Sequence, residues 1–175
     1  EGGDFYAIWG TASNNIYAGG VSNPLFHYDG TKWSALSIRT KDHPEGNWQV
    51  LDIWGTGPDN IYAGDLHFDG KNWTAREPGR GSVWGSSAVD VFELRFATPD
   101  DISTIGHYDG IKWRSTSAGK SITLTDLWGS GPDNVYAVGR AGTILKGPRF
   151  DVHIKFAGEG ASSVAAQGTD FACST

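Results

Sequence analysis

Three histidines of this 175-residue chain, His27, His67 and His107, stand 40 residues apart in the near-identical phrases H-Y-D-G-T-K-W, H-F-D-G-K-N-W and H-Y-D-G-I-K-W. Equivalent imidazoles from repeated units are a possible metal set if they converge on one axis. The spacing argues against it. Each His falls on the third strand of its unit, far from any shared axis, and the fourth unit carries Leu145 and Lys146 instead. No metal is therefore expected, and no other cofactor. The acidic residues Asp42, Glu45, Asp100 and Asp101 raise a second possibility, a pair of carboxylates for glycoside hydrolysis. Nothing in the sequence orders them into a pair. Asp59, Asp100, Asp101 and Asp133 lie outside any D-x-D-x-D-G loop, so turn formation explains them better than calcium. There is no G-x-S-x-G, no H-E-x-x-H and no Gly-rich loop leading into a helix. No catalytic residue is assigned.

These residues are positioned by a repeat. Trp-Gly followed at fixed spacing by Asp/Asn-Val/Ile-Tyr/Phe begins at Trp9, Trp54, Trp84 and Trp128, and the Asp-Gly pairs Asp29-Gly30, Asp69-Gly70 and Asp109-Gly110 keep a 40-residue period. A period of this size means repeated supersecondary units. In the second unit, Val50–Trp54 reads as a buried strand and Gly55–Asn60 as a turn. Ile61–Ala63, Leu66–Phe68 and Asn72–Ala75 follow as three more strands. Asp-Gly predicts a type I′ turn with φ above zero at both residues. Four short antiparallel strands make one propeller blade. The expected fold is an all-β propeller of four-stranded antiparallel blades, four in this chain, forming either a small closed ring or part of a larger or oligomeric propeller. One domain spans 1–175, with blades at about 4–39, 48–78, 82–117 and 121–157. Residues 158–175 read as a partial blade or as a tail that pairs with the first blade.

Within that frame the four Trp of the Trp-Gly units should fill the wedges between blades, and Trp33, Trp73 and Trp113 should pack on the outer strands. Asp52 and Asp126, two positions before their Trp, read as hydrogen-bonding staples. Recognition is left to the loops. The two longest are Ser37 to Trp48, with Asp42, His43, Glu45 and Trp48, and Arg95 to Ser103, with Asp100 and Asp101, within an insertion from Arg95 to Gly106. Trp48 falls outside the repeat, which makes it the first candidate for an aromatic contact, although packing is the slightly better reading.

Composition narrows the partners. The net charge is −6 with only 14 Lys and Arg in no basic run, which disfavours nucleic acid. No apolar stretch has the length of a transmembrane helix. Cys173 is the one cysteine, so an internal disulfide is excluded. The chain begins at Glu1 and contains no Met, which reads as a processed or excised piece.

The phrases Leu127–Gly139, Gly142–Leu145 and His107–Trp113 resemble the W-G-S-G-P-D-D-V-Y-A-V-G…G-T-I-L-H-Y-D-G-x-x-W repeats of secreted proteins and lipoproteins of myxobacteria and similar bacteria. The match runs to about Lys146. It implies a propeller that acts outside the cytoplasm, secreted or at the periplasm or cell surface, mostly without assigned activity. The D-G-x-x-W corner is also similar to the Asp-box of sialidase-type propellers, with one residue fewer between Asp29 and Trp33. In that family the corner is structural, and the catalytic arginines, Tyr and acids have no counterpart mapped here. The expected function is a non-enzymatic extracytoplasmic binding or scaffold module that meets a protein partner through its loops. Lectin-like binding of a surface glycan at blades or blade interfaces is the alternative, and a glycosidase-like enzyme stands behind both. A homo-oligomer, or continuation in a longer chain, is compatible with the blade number.

Overall fold

Short runs of β-branched and aromatic residues, each closed by Gly, Asp or Asn, leave no length for helices, and none occurs among the described residues. The computed structural model describes residues 3–41, 43–46, 48–76, 81–97, 102–119, 122–147, 152–155 and 165–168, with backbone alone at 96, 97, 102, 103, 152–155 and 165–168. The first sheet holds β1 (Phe5–Ala12), β2 (Asn15–Gly20), β3 (Phe26–Tyr28) and β4 (Trp33–Ala35). The second holds β5 (Ile53–Gly57), β6 (Asn60–Ala63), β7 (Leu66–Phe68) and β8 (Trp73–Ala75). The third holds β9 (Val83–Ser87), β10 (Asp90–Ala97), β11 (Ile102–Tyr108) and β12 (Trp113–Ser117). The fourth holds β13 (Leu124–Gly131), β14 (Asn134–Gly139), β15 (Thr143–Lys146) and β16 (Val152–Lys155), with β17 (Ala165–Gly168) added outside β16.

Every pair of neighbouring strands is antiparallel, and each sheet is one meander, so the four sheets are four propeller blades. The register is the same in each. Trp9 faces Tyr17, Trp54 faces Tyr62, Trp84 faces Phe92 and Trp128 faces Tyr136 across the first two strands. Blades stack in chain order, with β1 and β2 against β5, β5 against β9, and β9 and β10 against β13. Among the described residues no comparable packing joins β13 back to β1. The core therefore lies between blades. Ala7 and Tyr17 of the first share one apolar cluster with Ile53, Ile61 and Leu66 of the second, and Phe92 and Leu94 of the third share another with Leu127 and Leu145 of the fourth.

Three expectations are corrected. The Asp-Gly turns are not type I′: φ is positive only at the glycines, +94° at Gly30, +89° at Gly70 and +85° at Gly110. Tyr28 pairs with Trp33, so four residues bridge the strands, and the Asp side chain organises them. Asp29 Oδ1 accepts from the backbone amides of Thr31 (2.8 Å) and Lys32 (3.0 Å), and Asp69 and Asp109 repeat the arrangement. Second, Arg95–Gly106 is no looped insertion. β10 and β11 run on as a long hairpin, paired from Val91–Tyr108 to Ala97–Ile102. Third, the described part of 158–175 neither opens a fifth blade nor reaches the first, since Ala165–Gly168 pairs with β16.

Candidate interaction surfaces

One contact recurs between successive blades. The Trp of each unit lies over the Gly of the next Trp-Gly pair. A Cβ on Gly55 would stand 2.9 Å from the Trp9 ring, one on Gly85 2.5 Å from Trp54, and one on Gly129 2.7 Å from Trp84. Glycine is required there because the ring and a backbone carbonyl of the same blade, that of Asn60, Asp90 or Asn134, both occupy the side-chain space. The residue before each Trp is sealed by the preceding blade: Ile53 and Val83 are 5 % exposed and Leu127 4 %. Further out, Trp73 meets the Tyr17 ring edge-on at 5.8 Å, and Trp113 meets Tyr62 at 6.3 Å. These outer tryptophans also pack within their own blade, Phe68 on Trp73 and Tyr108 on Trp113. Among the described residues Trp33 shows that second kind of ring contact, with Tyr28 at 5.3 Å, and none with a preceding blade.

Asp52 is the staple its position suggested. Oδ1 accepts from its neighbour Ile53 N–H at 2.8 Å, and Oδ2 takes the Ser82 hydroxyl and the Val83 amide of the next blade, both at 2.9 Å. Burial raises its pKa above the ordinary carboxylate range, against the pull of those three donors. Asp126 holds Leu127 N–H the same way at 2.8 Å, but it stands on the last blade and is exposed.

The three histidines are joined to their own blades. Nε2 of His27, His67 and His107 lies 2.8, 2.8 and 2.7 Å from Asn15, Asn60 and Asp90, the acid or amide of each Trp-Gly unit. Each ring stacks on the aromatic of the second strand, Tyr17, Tyr62 or Phe92. Burial and the Arg76 charge push the His67 pKa down. The pattern thus explains why His, acid or amide, and aromatic recur together.

The loop candidates fare differently. Trp48 is 2 % exposed, with Nε1 donating to the Ile38 carbonyl at 2.9 Å. Its backbone bridges Asn23, so it anchors the linker between the first two blades and is not an exposed contact. His43 stacks over it at 4.2 Å, and Glu45 is exposed beside them. Arg95 is not on a loop. It lies on β10, with Nε 2.6 Å from Glu93 Oε1, while Arg76 reaches Glu93 Oε2 from the second blade at 2.8 Å. Both guanidinium groups pack near the Trp113 ring, and Glu93 itself is fully buried. Sequence reasoning missed this triad. Its signal is a break in the repeat: Glu93 stands where the other blades have Ala18, Ala63 and Ala137. Asp42, Asp100 and Asp101 lie outside the described residues.

The end blades present what the inner ones hide. On the first, Phe5, Tyr6, Ile8 and Trp33 are exposed, Ile8 at 71 %. Phe5, Ala18, Phe26 and Trp33 line a groove of about 390 Å³, and a second depression of about 520 Å³ runs along Ile8–Ser13 and Ile16. On the fourth, Val138 is exposed and Trp128 is 62 % exposed, so it fills no wedge. The sequence missed these faces too, because all four Trp-Gly units look alike.

No protein-family profile matches the chain. A stretch of 87 residues is 32 % identical to the immune protein Tsi7 of Pseudomonas aeruginosa, covering 46 % of this chain and 28 % of that protein. The chain thus matches under a third of the length of this curated relative. Among solved structures it is similar to YCF48 bound to D1 peptide, at 16 % identity and a TM-score of 0.38, over 95 % of this chain and 75 % of that one.

Proposed function

We propose that this chain is a non-enzymatic protein-interaction module. The observation that carries the reading is the contiguous apolar face of the first blade, where Phe5, Ile8 and Trp33 are exposed around the groove. Large aromatics gathered on one open face are the composition of interface cores, and contiguous apolar surface of this kind marks interaction sites. The likeness to a stretch of a protein named an immune protein is in keeping with action through a protein partner. The resemblance of the repeats to those of secreted proteins supports an extracytoplasmic setting. The test replaces Trp33 with a photo-crosslinking phenylalanine analogue, with a glycan array run on the unmodified chain. A protein adduct at position 33, to a second copy or to another protein, is the expected result. Glycan binding without any protein adduct, or no adduct at all, overturns the reading.

A further inference from the structure

The two open faces are the two halves of the interface already seen between blades. Four features match. Trp128 projects as Trp9, Trp54 and Trp84 do, and the seat on which the next blade would receive it is Gly10 beside the depression along Ile8–Ile16. Trp33 is exposed where Trp73 and Trp113 meet the second-strand Tyr of the preceding blade, and Tyr136 is that residue on the fourth blade. Ile8 is open where Ile53, Val83 and Leu127 are sealed by a preceding blade. Asp126 holds Leu127 N–H as Asp52 holds Ile53 N–H, and Ile8 N–H is the counterpart of the Val83 amide that takes the other Asp52 oxygen.

A solitary repeat array needs end units with polar outer faces. These end units keep the apolar residues of interior ones. We propose that the fourth blade of one chain packs on the first blade of a second copy, and the reverse, so that two chains close one ring of eight blades. The contact is heterologous, and such contacts form closed assemblies when the rotation closes. Propellers run from about four to eight blades, so a ring made by pairing two such chains lies within the range the fold allows. This rests on the protein-interaction reading and names its partner.

Sedimentation equilibrium of the 175-residue chain tests it. The expected mass is twice 18.8 kDa, with dissociation on dilution. Ile8→Asp and Trp128→Ala, both at exposed positions that spare the folding of the single chain, should each weaken self-association by roughly a hundredfold or more, since each is lost at two interfaces. Mixing the two variants should give a heterodimer with one intact interface and both changes confined to the other, tighter than either variant's homodimer and weaker than the unmodified pair. The Ile8→Asp chain still offers an intact fourth blade and the Trp128→Ala chain an intact first blade, whereas a merely structural role for either residue restores nothing. A chain that stays monomeric at high concentration, a dimer that both variants leave untouched, or open polymers in place of a dimer overturns the proposal. A monomer whose position-33 crosslinker still captures another protein overturns the pairing and leaves the interaction reading standing. A monomer with no protein adduct overturns both.

Discussion

Trp54 and Trp128 occupy the same place in the repeat, so replacing each with Ala isolates what the next blade contributes. Trp54 is half-buried, its ring 6.0 Å from Tyr62 and close enough to Gly85 to occupy its side-chain space. A fully buried Trp→Ala change costs ~3–5 kcal/mol, and partial exposure of the ring brings this to about 2–3 kcal/mol. For a chain of this size each kcal/mol lowers the thermal midpoint by roughly 2–4 °C, so Trp54→Ala should cost about 4–12 °C. Trp128 is 62 % exposed. Surface changes of that kind stay within about 0.5 kcal/mol, which means a shift of no more than about 2 °C. Both changes are compared in an Ile8→Asp background, which keeps the end faces apart, by differential scanning calorimetry. Equal shifts for the two positions would refute the wedge argument, because the Trp would then be acting within its blade and not between blades.

Two further outcomes follow from the charged groups. Donors to the Asp carboxylates hold their pKa values down: the Thr31 hydroxyl first and then the Lys32 and Thr31 amides for Asp29, to about 2, the Asn72 amide first for Asp69, and the Lys112 amide first for Asp109. A lowered folded pKa gives stability that is present above the unfolded value near 4 and is lost as pH falls towards 2. The triple change of Asp29, Asp69 and Asp109 to Asn keeps a turn-forming acceptor, so it should flatten the fall of the thermal midpoint across that window; an unchanged slope would show that other groups govern it. Glu93→Ala strips the carboxylate from two largely buried arginine side chains and should cost about 3–5 kcal/mol in urea unfolding, while a loss below about 1 kcal/mol would mean that water replaces it.

The propeller was legible because its information is periodic. Trp-Gly, the acid or amide, His and Asp-Gly recur at one spacing, and each recurrence performs the same local task in its blade. What the period could not carry is neighbourhood. All four Trp read as wedges, yet whether each is covered depends on the blade beside it, and among the described residues none packs on Trp128. Trp48 read as a loop aromatic because polar residues surround it in sequence; the ring instead turns under His43 to meet the Ile38 carbonyl, a partner ten residues away. Arg95 was placed on a loop because the long β10–β11 hairpin has no counterpart in the other blades. The alternation Val91, Glu93, Arg95 against Phe92, Leu94, Phe96 carries the strand, and the buried Glu93 that breaks an apolar position is what draws Arg95 inward along with Arg76.

The proposed pairing would couple the chain's stability to its assembly. In a linear array each unit is held by its own sheet and by the contacts to its neighbours, so the total is close to a sum of blade and interface terms. Four blades in series contain three interfaces, and closing the array with a second copy gives each chain the equivalent of a fourth. The end blades, held on one side only, are then the first to open in the isolated chain, and pairing stabilises them by mass action. The same closure would bring the exposed Pro44–Glu45 segment of each chain into one rigid frame, twice and at fixed separation. A partner with two matching sites would gain from that repetition without any new contact, whereas a partner meeting a single chain would not. Under the proposed pairing the apolar ends would bear on recognition as well as on folding, since they would decide whether the loops act singly or as a pair.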